Sequence, residues 1–161
     1  MGVMHKKNSL RDLRLTAMGI TPPDDWNDVE QVRVVRRLEM GVVCTETIYA
    51  GIEIDGKRYS LTAYDQTEIM AQITAVREGA EFVPYHADGE LCRMFSAVEF
   101  MVVAEAAIAH IFFHRTYCNH LNAWIRRADM AELYDITYGI ELPSDLSKSM
   151  LKLLKKAGGG L

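Results

Sequence analysis

Three cysteines in 161 residues (Cys44, Cys92, Cys118) form an odd, widely spaced set with no CxxC pair. That argues against a disulfide framework or a zinc knuckle and makes reduced thiols in a cytosolic setting the expectation. No GxSxG elbow, P-loop or dinucleotide glycine fingerprint occurs, so the common nucleophile and phosphate-cradling motifs are absent. The N-terminus MGVMHKKNSLRDLRL lacks an apolar h-region, which argues against a secretory signal. The longest apolar run, Phe100 to Phe113, is short for a bilayer and is broken by Glu105 and His110, so no membrane association is expected. A formal charge of −4 exerts no general pull on nucleic acid, and a nucleic-acid partner is not expected.

The chain has 49% hydrophobic and 25% charged residues, the balance of one globular domain with enough length to bury a core. Residues 1–40 read as an N-terminal segment: a short helix over Asn8 to Met18, a break at Thr21-Pro22-Pro23, then an ambiguous stretch. Over Asp28 to Met40 the three valines favour a strand over a helix. Residues 41–157 read as a single α+β domain, and 158–161 as a flexible glycine tail.

Within that domain, Asp55-Gly56 between alternating segments predicts a hairpin, with Ile52, Ile54, Tyr59 and Leu61 on one face. Thr62 and Asp65 have capping-box spacing and start a helix that ends at Gly79. Phe82 to Tyr85 and Leu91 to Phe95 read as a second hairpin around Asp88-Gly89. Ser96 and Glu99 have the spacing of a full capping box and open the longest helical signal, Ser96 to Arg127. Asp129 and Glu132 start a short helix reaching Gly139, and Pro143-Ser144-Asp145 opens a last helix over Leu146 to Lys156. The architecture expected is two small hairpins packed by helices, with one long central or interface helix.

At 100° per residue, Phe100, Val103, Ala107, Ile111, His114, Cys118, Leu121 and Ile125 share one face of that long helix. Met101, Ile108 and Phe112 lie behind it, which requires cover on a second side, from the core or from a homo-oligomer. These three, with Phe113 and Trp124, are the interface candidates. His110, His114 and Cys118, at i, i+4 and i+8, have metal-ligand spacing. HIFFH nevertheless has Phe where a zinc protease needs Glu, and the simpler reading is a core histidine beside a buried thiol. His86, Asp88 and Glu90 around the second turn, with His114, could line a ligand pocket. A polar turn explains the first three equally well. Arg33, Arg36 and Arg37, with Lys152, Lys155 and Lys156, read as solvated faces. No catalytic residue and no cofactor is assigned.

The ordered series Asp65-Gln66, YHADGE (Tyr85 to Glu90), HRTYCNHL (His114 to Leu121) and YGIELP (Tyr138 to Pro143) resembles a phage and prophage family of unknown function common in gut Firmicutes. The resemblance spans about residues 48 to 146. It implies a location near tail and tail-fibre genes, with His86, Asp88, His114, Tyr117, Asn119 and Tyr138 acting as fold determinants. In that context the function expected is that of a non-enzymatic tail, baseplate or fibre-assembly protein contacting tail proteins in the host cytoplasm or virion, and the apolar surface of the long helix leads to the expectation of a homo-oligomer. A nucleotide or small-molecule binding accessory protein is the alternative.

Overall fold

The computed structural model describes residues 2–158, with side chains from Leu10 onward. Six helices and four strands follow in the order α1 (Gly2–Ala17), α2 (Val29–Tyr49), β1 (Ile52–Ile54), β2 (Lys57–Tyr59), α3 (Ala63–Arg77), β3 (Phe82–Tyr85), β4 (Arg93–Ser96), α4 (Ala97–Arg127), α5 (Met130–Asp135) and α6 (Ser144–Gly158). The fold is α+β, with two antiparallel hairpins. Residues 159–161 of the expected tail lie outside the described residues, and Gly158 ends α6.

The stretch expected as a strand is instead the first half of α2, which continues through position 40 to Tyr49. Val32, Val35, Met40, Cys44 and Ile48 are buried, a spacing of three to five residues that matches a helix and not a strand. The valines misled because strand propensity mostly measures packing, which a helix face can equally provide. Asp28 caps the start, its Oδ1 accepting from the backbone N–H of Glu30 at 2.9 Å and Gln31 at 3.2 Å.

The chain forms two compact units, residues 45–115 and the remainder. In the discontinuous unit the core gathers Leu15, Trp26, Val32, Met40, Leu121, Ile125, Leu133, Ile136 and Met150. A polar network is buried beside them. Arg36 and Glu39 are both about 5% exposed and form an ion pair, and Arg36 Nε donates to the Leu133 carbonyl at 2.9 Å. Arg14 approaches the same carboxylate at 3.5 Å. Arg33 donates to the carbonyls of Ile125 (3.0 Å) and Ala128 (2.9 Å). The solvated basic face expected at Arg33 and Arg36 is therefore corrected: these arginines hold carbonyls that the ends of α4 and α5 leave open. Asp129 and Glu132 make the predicted capping box, and α5 ends at Asp135, four residues before Gly139.

In the continuous unit, Asp55 (φ 51°) and Gly56 (φ 73°) form the tight turn of β1–β2, pairing Ile52 with Tyr59 and Ile54 with Lys57. Gly51 joins α2 to this hairpin at φ 78°, and a Cβ there would sit 1.9 Å from the Tyr59 carbonyl oxygen. Thr62 and Asp65 make a complete capping box on α3, whose Ile69 and Ile73 are buried. In β3–β4, Phe82 pairs with Ser96 and Pro84 with Met94. The return strand starts at Arg93, not Leu91, because residues 86–92 are held as a loop. Tyr85 anchors the interior, edge-on to Phe95 (6.0 Å) and Phe100 (5.4 Å) and stacked on Tyr59 (6.2 Å).

Only half of the expected capping box on α4 is made. Ser96 Oγ accepts from the Glu99 N–H at 3.2 Å, but the Glu99 carboxylate turns to Arg93, with one N–O distance of 3.2 Å. A bidentate guanidinium is a stronger partner for a carboxylate than one backbone amide.

Candidate functional site

The YHADGE loop ties the two hairpins of the continuous unit together. Asp88 Oδ1 accepts from the Ser60 N–H at 3.0 Å, Oδ2 accepts from the Ser60 hydroxyl at 2.5 Å, and Asp88 N–H donates to the Arg58 carbonyl at 2.8 Å. Glu90 pairs with Lys57 at 2.9 Å. His86 stacks on Tyr85 with its Nδ1 3.0 Å from the Ala87 oxygen. Two of the four residues expected around a pocket, Asp88 and Glu90, thus hold β2 against the loop.

A concavity of about 250 Å³ does exist nearby, lined by Ile54, Asp55, Lys57, Tyr59, Arg93, Glu99, Val102 and Val103. It falls just below the roughly 300–1,000 Å³ of ordinary ligand sites. Its two cations are already paired, Lys57 with Glu90 and Arg93 with Glu99.

His110 and His114 meet edge to face at 4.6 Å, and Phe113 packs on His114 at 5.2 Å. The Nε2 of His110 lies 3.1 Å from the Thr47 oxygen. Burial, and secondarily the charge of His110, lower the pKa of His114. Among the described residues no three His, Cys, Asp or Glu side chains converge as metal ligands, so the i, i+4, i+8 spacing does not assemble a centre. Cys118 is buried in the other unit, 4.0 Å from the Met40 carbonyl. Its thiol is pushed up to about 12, first by burial and then by the neighbouring Cys44.

The tyrosines of the later motifs are structural partners. Tyr117 donates its hydroxyl to the Ile140 carbonyl at 2.7 Å and accepts the Gly139 N–H at 3.0 Å, while its ring meets Tyr138 at 5.2 Å. Asn119 is exposed. His120, which sequence reasoning passed over, is buried. Its Nδ1–H donates to the Thr116 carbonyl at 2.8 Å, and Nε2 lies 3.1 Å from the Ser149 hydroxyl. The group links α4 to α6. No sequence pattern marked it, since the Ser149 partner is 29 residues away.

The most open feature is the flank of α4 in the continuous unit. Val98 is 79% exposed, Val102 53%, Phe113 44% and Phe112 38%, with Met101 and Ile108 half-buried beside them. These positions fall within one stripe at 100° per residue, with Glu105 and Ala109 between them. Trp124 does not extend this stripe: it packs on the core of the other unit and donates Nε1–H to Glu132 at 3.0 Å. Among the described residues α4 is the helix long and apolar enough to cross a membrane, a property shared by core helices of soluble proteins. An apolar groove of about 420 Å³ adjoins the flank, lined by Val76, Ala97, Val98, Met101, Val102 and Glu105.

A family model described as domain of unknown function (DUF4376) matches residues 31–138. No curated protein and no solved structure matches.

Proposed function

The chain belongs to the DUF4376 family of domains of unknown function, and from that premise we propose that it is a non-enzymatic structural protein of a phage or prophage. It acts by protein–protein contact as a small tail or baseplate component or a fibre-associated assembly factor, in the host cytoplasm during assembly and in the virion if retained. The phage context rests on the resemblance of the YHADGE, HRTYCNHL and YGIELP motifs. The contact role rests on one observation, the apolar flank of α4 left uncovered at Val98, Val102, Phe112 and Phe113. Contiguous apolar surface of this kind marks interaction sites far more often than scattered single residues do.

The chemistry-bearing side chains add support, because Asp88, Glu90, Glu99, Tyr117 and His120 all have internal partners. The ligand-binding alternative draws only on the small concavity at Lys57 and Arg93, whose charges are already neutralised.

Mass spectrometry of purified particles, combined with affinity capture by tail proteins, tests this reading. The chain should co-purify with particles or assembly intermediates, and Val102→Asp or Phe113→Asp should abolish capture while leaving the fold intact. A monodisperse monomer with no affinity for any tail protein would overturn it. A midpoint rise with nucleotides in a thermal-shift screen would favour the alternative, since a ligand bound only by the folded state stabilises it.

A further inference from the structure

The two compact units carry unequal charge. Residues 45–115 contain five Lys or Arg and eleven Asp or Glu, a formal −6, and the rest of the chain contains thirteen and eleven, a formal +2. Part of the positive side is concentrated on α6. With 3.6 residues per turn, Lys148, Lys152, Lys155 and Lys156 fall within an arc of about 100°. Leu146, Met150 and Leu154 turn the opposite side into the core. None of the four lysines has a carboxylate partner among the described residues. Leu151 (53% exposed) and Leu153 (46%) flank the lysines on either side.

The groove beside α4 has the complementary chemistry. Val76, Ala97, Val98, Met101 and Val102 supply apolar walls, and Glu105 is the one charged residue in the lining. Glu78 caps α3 two residues after Val76, and the Glu81 carbonyl accepts the Ala97 N–H at 2.8 Å, so two further acidic residues belong to the adjoining segments. Arg77 is the cation in the same turn.

We propose that the groove of one copy receives the lysine face of α6, with Leu151 or Leu153, from a second copy. This deepens, and rests on, the reading of the α4 flank as a contact surface. The occupant is chosen by charge. Symmetric pairing of two α4 flanks would bring one −6 unit against another, and like-charge juxtaposition at an interface is unfavourable. Head-to-tail docking brings lysines to carboxylates and leucines to an apolar wall. Such a contact is heterologous, so it forms rings or open chains and not a closed pair. A groove of about 420 Å³ holds few side chains, so the contact is weak and reversible.

Sedimentation velocity of the full chain tests the proposal. At about 20 mM salt the mass should exceed the 18.2 kDa monomer and grow with concentration. At about 0.5 M salt, where the screening length falls to a few ångströms, it should return to the monomer value. Glu105→Lys alone, and Lys152→Glu with Lys155→Glu, should each weaken association at least about tenfold. An equimolar mixture of the two variants should recover it, since each supplies the charge the other lacks. Circular dichroism checks that these exposed positions leave the fold unchanged. Monomer under every condition, or association that the α6 variants do not alter, overturns the proposal. Capture of tail proteins by a strictly monomeric chain would leave the broader contact reading standing.

Discussion

Asp88 grips Ser60 with both carboxylate oxygens, one on the backbone N–H at 3.0 Å and one on the hydroxyl at 2.5 Å. Twenty-eight residues separate them, so this pair, with the Arg58 carbonyl, closes the loop between β3 and β4 onto β2. Hydrogen bonds to a charged group contribute about 1.5–3 kcal/mol, less where water competes. Asp88→Ala should therefore destabilise by about 2 kcal/mol, and Asp88→Asn by less because one oxygen remains. Urea unfolding measures both. Equal losses in the two variants would mean that the oxygen asparagine retains contributes nothing.

The Arg36–Glu39 pair offers a sharper contrast. Both side chains are buried, so removing one leaves an uncompensated charge, whereas removing both removes the desolvation penalty as well. Glu39→Ala is expected to lose about 3–5 kcal/mol, and Arg36→Met combined with Glu39→Leu much less. The double-mutant cycle would contradict this if the two single losses simply added.

Acid should loosen the contact between His110 and His114. The folded pKa of His114 lies below its ordinary 6.5, through burial first and His110 second. The unfolded chain then binds more protons than the folded one just below that pH, so stability is full above 6.5 and falls as pH drops through it. His114→Gln should flatten this part of the stability–pH curve. An unchanged slope in the variant would assign the loss to other groups.

The three thiols should divide cleanly. Cys92 is exposed, Cys44 and Cys118 are buried, and Cys118 is held at about 12. Native protein should react with one equivalent of a thiol reagent at pH 8, at Cys92, and denatured protein with three. Rapid native labelling of Cys118 would require an opening of the core that its burial does not provide.

Local signals in the chain were legible wherever they were also the final contacts. Thr62 with Asp65, Asp129 with Glu132, and Asp55-Gly56 act within four residues, and each does what its spacing implies. Partners brought by the fold overrode the rest. Arg93 drew Glu99 away from its cap, and Leu133 and Glu39 drew Arg36 inward. α2 was misread because three valines weighed more than the helical spacing of its buried residues. At the candidate site, the loop residues His86, Asp88 and Glu90 were found, but their roles depend on Ser60 and Lys57, which no motif links to them. The α4 flank was legible as an excess of apolar residues, although Val98 and Val102 were not among those singled out, and Trp124, named beside them, packs on the core of the other unit.

Gly51 carries a consequence for how this chain tolerates change. A single added carbon would meet three backbone atoms of Tyr59 and Ser60 at 1.9–2.8 Å, and main-chain atoms cannot swing aside as a side chain can. In a saturation library selected for folding, position 51 should return one codon family only. Gly56, with open space around its missing Cβ, should admit asparagine, which tolerates the same left-handed turn. Two glycines five residues apart would thus differ in kind, one fixed by crowding and the other by backbone angle alone.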